Sequence, residues 1–140
     1  MSLLGTVQRA ATRAIRAVTR NLPGTVVLVY HRVAEPPSDP QLLSVSPENF
    51  AEHMKVVSEL GTCIPLRRLV GNGTRKPLRR GIVITFDDGY ADNLETAEPI
   101  LRDAGVPATV FVSTGGLETN TPFWWDELEA LLLRSNDLPP

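Results

Sequence analysis

Two adjacent carboxylates, Asp87 and Asp88, are the residues of this 140-residue chain whose types and spacing could do chemistry. They follow an uncharged run, Ile82 to Phe86, and precede Gly89 and Tyr90. Within a strand, neighbouring side chains point to opposite faces, so adjacent acids could not converge on one ligand. At a strand end running into a turn they can. One carboxylate can then hold a cation while the other takes a proton from water. Two like charges beside an apolar strand are costly unless a metal or hydrogen-bond donors hold them, which makes a metal site physically motivated. A solvated turn is the plain alternative, since Asp-Asp-Gly is good turn chemistry. Acids at a strand end also suit magnesium and phosphoryl transfer, but the usual aspartate pattern for that has a spacer that Asp87-Asp88 lacks.

The elements that must position these acids follow from the flanking patterns. Ile82 to Phe86 reads as a strand buried on both faces, and Gly89 permits the turn beyond it. Thr25 to Tyr30 is a second short β-branched strand. It delivers His31 and Arg32 to its C-terminal end, the edge where parallel α/β folds place their sites. Residues 34–44 hold Pro36, Pro37 and Pro40 and form a loop on that edge. Ser46 caps a helix with Pro47 in its first turn; Phe50, Met54, Val57 and Leu60 give it an apolar stripe, and Gly61 ends it. His53 falls on the margin of that stripe, and Thr62 to Leu66 reads as a short strand. Ala91 to Ala104 reads as a helix with Leu94, Ala97, Leu101 and Ala104 on one face, kinked or divided by Pro99 and closed by Gly105. A strand over Ala108 to Val112 leads to the Ser113–Gly116 turn. Thr121 and Pro122 then open a helix over Phe123 to Arg134. Trp124, Leu128 and Leu131 share one face of it; paired tryptophans at such spacing are usually core, but they can also stack on sugar rings.

Composition bounds the class. A content of 42% hydrophobic and 21% charged residues suits one ordinary globular domain. The single Cys63 excludes an internal disulfide framework and reads as a small packing residue. The net charge of −2 conceals Arg9, Arg13, Arg16 and Arg20 in the first 20 residues, which contain no acid, leaving −6 on the rest. Residues 2–20 read as a basic helix, lying against its own domain or making weak contact with a membrane surface. Those arginines interrupt any hydrophobic core of a secretory signal. No run reaches the ~18 apolar residues of a transmembrane helix. The expectation is a cytoplasmic protein or one peripheral at the membrane. Residues 67–80 are rich in Arg and Lys with no aromatic interleaved, so a nucleic-acid partner is not expected.

Thr85-Phe86-Asp87-Asp88-Gly89 resembles the first motif of the polysaccharide deacetylase family, the NodB-homology domain. Val29-Tyr30-His31-Arg32-Val33 resembles the Tyr-His segment near the start of one branch, Pro107 to Gly116 the strand after the first motif, and Phe123-Trp124-Trp125-Asp126 a segment that follows. The resemblance implies a distorted (β/α) barrel that removes N-acetyl groups from a polysaccharide or acetylated amino-sugar oligomer with a divalent metal, usually zinc. It implies Asp87 as catalytic base and Asp88 as metal ligand, and it favours His31 as a substrate-binding candidate; Trp124 is a second such candidate because tryptophans can stack on sugar rings. The family's remaining metal ligands come from a His-Ser/Thr-x-x-His motif, and this chain has only His31 and His53, neither in such a motif. The metal site is therefore expected to be incomplete. The expected architecture is α/β: residues 1–22 a basic helix and linker, and residues 23–140 the N-terminal part of a deacetylase-like (β/α) barrel, inactive alone. The alternatives are a non-catalytic carbohydrate- or partner-binding fragment and a magnesium-dependent phosphoryl-transfer enzyme.

Overall fold

The computed structural model describes residues 24–70, 81–116 and 121–133. The basic helix expected over residues 2–20, and most of the basic run of residues 67–80, lie outside the described residues. The element order is β1 (Thr25–Tyr30), β2 (Arg32–Val33), β3 (Ser44–Val45), α1 (Pro47–Leu60), β4 (Thr62–Cys63) and α2 (Arg67–Val70). Then come β5 (Gly81–Phe86), a π-helical turn (Asn93–Ala97), α3 (Glu98–Asp103), β6 (Ala108–Val110), a 3-10 turn (Thr114–Gly116) and α4 (Trp124–Leu133).

The uncharged strand β5 is the centre of a parallel sheet. All six of its residues are buried, as a run with no polar face requires. Strand β1 pairs along its whole length, from Thr25 opposite Gly81 to Tyr30 opposite Phe86. The other flank is shared: β4 covers the N-terminal end of β5 and β6 its C-terminal end. Because every pairing is parallel, β1, β5 and β6 discharge their C-terminal residues along one edge. No closed barrel forms among the described residues. The short parallel pair β2–β3, absent from the expectation of a plain loop, closes the excursion after β1. Asp39 steadies it by accepting from the backbone N–H groups of Leu43 and Ser44 at 3.0 and 2.9 Å.

Helix α1 begins as its sequence dictates, with the Ser46 hydroxyl accepting from the N–H of Asn49. Its stripe of Phe50, Met54 and Val57 is buried against β5 and α3, in one cluster with Ile82, Ile84, Phe86, Leu101 and Val106. Phe50 meets Tyr30 edge-on at 5.1 Å, and Tyr30 stacks on Phe86 at 5.7 Å. Gly61 ends the helix in an extended conformation, its N–H bonded to the Val57 carbonyl. Strand β4 is shorter than expected, since Leu66 already accepts from Leu69 in the turn of α2.

The segment expected as one helix over Ala91 to Ala104 is divided. The N–H of Glu98 bonds five residues back to Asn93, and a regular helix resumes at Glu98–Asp103. Pro99 has no N–H to continue the ladder, and the extra residue of the π turn lies just before it. This residue rotates the apolar face. Asn93 and Ala97 turn inward, at 5% and 0% exposure, while Leu94, expected inside, is 73% exposed. Gly105 closes the helix with a φ of +65°, as expected of it.

Candidate active-site cleft

The two carboxylates sit where β5 ends. The N–H of Asp87 donates to the Tyr30 carbonyl at 3.0 Å, extending the β1–β5 ladder by one step. His31 and Asp87 therefore leave neighbouring strands side by side. Asp88 then takes a φ of +71° and Gly89 one of +80°. A left-handed pair makes the chain turn sharply and lets two successive acids escape the opposite-face rule of a strand. The turn is held against the segment after β6: the Asp88 carbonyl accepts from the Ser113 N–H at 3.0 Å. A Cβ on Gly89 would stand 2.9 Å from Val112 Cγ1 and 3.1 Å from its Cα, so only glycine fits there. Both aspartates are half-buried, and neither carboxylate is bonded to a described residue.

A cleft of about 380 Å³ opens beside this turn, lined by Asp88, Gly89, Ser113, Thr121, Trp124 and Trp125, among others. Of the sequence candidates, it brings Asp88 and Trp124 together. Asp87 and His31 stand at the same sheet edge but do not line the cleft. The His31 carbonyl accepts from Asn93 Nδ2 at 2.8 Å. A larger apolar groove of about 580 Å³ runs between β6 and the π turn, past Leu94 and Val110.

Sequence reasoning missed Tyr90 and the contacts around it. Its hydroxyl accepts from Trp125 Nε1 at 2.7 Å and donates to the Asp126 carboxylate at 3.1 Å. Its ring lies edge-on to Phe123 at 5.1 Å, and Phe123 stacks on Trp125 at 4.7 Å. The Arg32 guanidinium lies over the same ring, 4.4 Å from its centroid. Arg32 is held in turn by Asp92, which also accepts from the N–H of Val33. Burial first, and then the negative charge of Asp126, push the Tyr90 hydroxyl up to about 12, so it remains a donor. These partners lie about 35 residues from Tyr90, and no local pattern could have announced them. Helix α4 itself buries no residue, and Trp124 is 68% exposed.

The donor set does not make a metal centre. No three His, Cys, Asp or Glu side chains among the described residues come together around one point, whereas a catalytic zinc normally has three protein ligands. Cys63 is half-buried and burial pushes its thiol up, in keeping with a packing role. No helix among the described residues is long and apolar enough to cross a membrane.

The model of the polysaccharide deacetylase family matches residues 74–137. The Bacillus subtilis (strain 168) protein YxkH, whose own assignment as a polysaccharide deacetylase is provisional, is 36% identical over 89 residues, or 61% of this chain. Only 30% of YxkH is spanned by that match. Among solved structures, IcaB from Ammonifex degensii superposes with a TM-score of 0.61 at 27% identity, over 70% of this chain and 42% of its own. A de-N-acetylase from Aggregatibacter actinomycetemcomitans superposes with a TM-score of 0.53 at 26% identity, over 61% of this chain and 36% of its own. The chain thus spans well under half the length of each of these relatives.

Proposed function

From its relationship to the polysaccharide deacetylases, we propose that this chain serves in the hydrolytic removal of N-acetyl groups from a polysaccharide or amino-sugar oligomer. The observation that supports this most is that Asp88 and Trp124 line one cleft at the edge where the parallel strands end. In this reading the parallel sheet is an arc of a distorted (β/α) barrel, and the cleft receives one sugar ring. Trp124 offers its exposed face to the apolar side of the ring. Asp87, whose carboxylate no described residue engages, takes the proton from the attacking water as general base. His31, leaving β1 beside Asp87, borders the substrate. A divalent ion, zinc by family likeness, would need donors besides Asp88 from outside the described residues.

The test is acetate release from N-acetylated chito-oligosaccharides with zinc added. It compares the 140-residue chain with a fusion of it to the part of A. degensii IcaB that it does not span. The fusion is expected to release acetate, and Asp87→Asn to slow it at least about 100-fold, the lower range for losing a general base. A cooperatively folded fusion that releases no acetate would overturn the proposal, as would an Asp87→Asn variant as active as its parent. A carbohydrate-binding module without hydrolysis would use the same exposed Trp124. It differs in binding the oligosaccharide while releasing no acetate in either form.

A further inference from the structure

We propose that Tyr90 is a positioning residue: its hydroxyl ties the tryptophan-bearing start of α4 to the aspartate turn, making the cleft between them a preformed seat for one pyranose ring of an acetylated glycan. The ligand rests on the deacetylase reading; the tie rests on the geometry alone.

Tyr90 stands two residues beyond Asp88, and its hydroxyl partners, Trp125 and Asp126, directly follow Trp124. One side chain thus spans from the turn that carries Asp88 to the helix that carries Trp124. A phenol has one proton to give and lone pairs to receive, and here the proton goes to Asp126 while the Trp125 indole N–H is accepted. The Asp126 carboxylate oxygens lie 3.2 and 3.1 Å from the hydroxyl, and the shorter contact, at 2.7 Å, is the one accepted from Trp125 Nε1.

The burial pattern decides why this tie matters. Helix α4 has no buried residue, so apolar packing does not hold its start in place. That task falls to the Tyr90 hydroxyl and to the edge-on contact of its ring with Phe123, which in turn stacks on Trp125. Tyr90 is itself fixed by Arg32, which Asp92 holds at 3.1 Å. The cleft that results has a carboxylate, the Ser113 and Thr121 hydroxyls and an indole, the chemistry that suits a pyranose with one apolar face and a polar rim. Preorganising the indole spares the ligand the cost of ordering it on binding.

The experiment titrates the 140-residue chain with N,N′,N″,N‴-tetraacetyl chitotetraose and follows tryptophan fluorescence. Hydrogen exchange of the α4 amides is measured in parallel. Tyr90→Phe is expected to weaken binding about tenfold and to speed exchange in α4, while β5 exchange stays unchanged. Asp126→Ala should do the same, and Asp126→Asn, which keeps an acceptor for the hydroxyl, should recover most of the affinity. The double variant Tyr90→Phe/Asp126→Ala should be no weaker than Tyr90→Phe alone, because Asp126→Ala removes one of the two hydroxyl bonds that Tyr90→Phe already removes. Parent-like affinity and parent-like α4 exchange in Tyr90→Phe would overturn the tie while leaving the deacetylase reading intact. A parent chain that binds no chitotetraose overturns the glycan seat, while acetate release from the fusion decides the deacetylase reading separately and the exchange data still decide the tie. If Tyr90→Phe fails to fold, Asp126→Ala carries the same two measurements.

Discussion

Helix α1 buries Phe50, Met54 and Val57 with at most 3% of each exposed, whereas α4 leaves Trp124, Leu128, Leu131, Leu132 and Leu133 all largely outside. Both segments are amphipathic by sequence, and α4 has the more apolar residues. What separates them is the surface opposite. Helix α1 lies over β5, whose Ile82, Ile84 and Phe86 fill one face with nothing polar. Helix α4 is held at its start by a tyrosine hydroxyl and an edge-on ring contact, and its apolar face meets no counterpart among the described residues. An apolar stripe states what a helix needs, and only the rest of the chain decides whether the need is met. One helix is therefore fastened by packing and the other by directional contacts.

The sharpest way to break this comparison is a pair of truncations. Phe50→Ala should cost about 3–5 kcal/mol by leaving a cavity between α1 and the sheet. Leu131→Ala in α4 should shift stability by no more than about 0.5 kcal/mol. Urea denaturation of both variants checks it, and similar midpoints would erase the distinction. Next in size is the joint between the two regions. Gly89→Ala should cost about 2 kcal/mol, because the positive φ and the approach to Val112 both forbid a side chain. The effect should appear equally in the unfolding midpoint and in loss of the α4 contacts that Tyr90 makes.

Smaller and opposite in sign, Asp88→Gly should raise stability by about 1 kcal/mol by relieving its φ of +71°. The same change removes the cleft's carboxylate. A higher melting temperature together with weaker binding of the chitotetraose would mark a position where conformation is strained for use. No gain in melting temperature would mean the aspartate is at ease there.

The last test sets the two regions apart by titration. Burial pushes Tyr30, beside Phe50, up to about 12, and Tyr90, beside α4, up to about 12 as well, from 10.0. Between these values the folded chain holds more protons than the unfolded one. The contribution is therefore complete below pH 10 and is lost as pH rises through 12. Urea midpoints should fall across that window. Tyr30→Phe and Tyr90→Phe should each flatten the fall by a similar share, which assigns one part of it to each region.

Much of the packed region was legible in the sequence. The bounds of β1, the two-sided burial of β5, the Ser46 cap and the apolar stripe of α1 all follow from local patterns of period two or near four. So did the place of Asp87 and Asp88 at a strand's C-terminal end. The errors have specific causes. A period of 3.6 carried from Ala97 back to Leu94 puts Leu94 inward, and the π turn over Asn93–Ala97 cancels that register. Strands β2 and β3 have two residues each, too short for any periodicity, and were invisible. Leu66 read as strand although its carbonyl belongs to a helical turn. Tyr90 escaped notice because its meaning lies in partners far along the chain. The site was legible where one stretch carried it, and illegible where its arrangement depends on segments meeting.

The central position of β5 has a consequence for how the molecule assembles. Its longest partner, β1, is brought to it only by closing a loop of roughly 55 residues, from Thr25 to Gly81. Helix α1 can form early from local contacts, but the β1–β5 pairing must wait for that distant encounter. Until it happens, the flank of Ile82 to Phe86 that β1 covers stays open, although β4 and β6 can already pair along the other. During synthesis β1 emerges first and stays unpaired until β5 has left the ribosome, so the hazard of aggregation is concentrated in that interval.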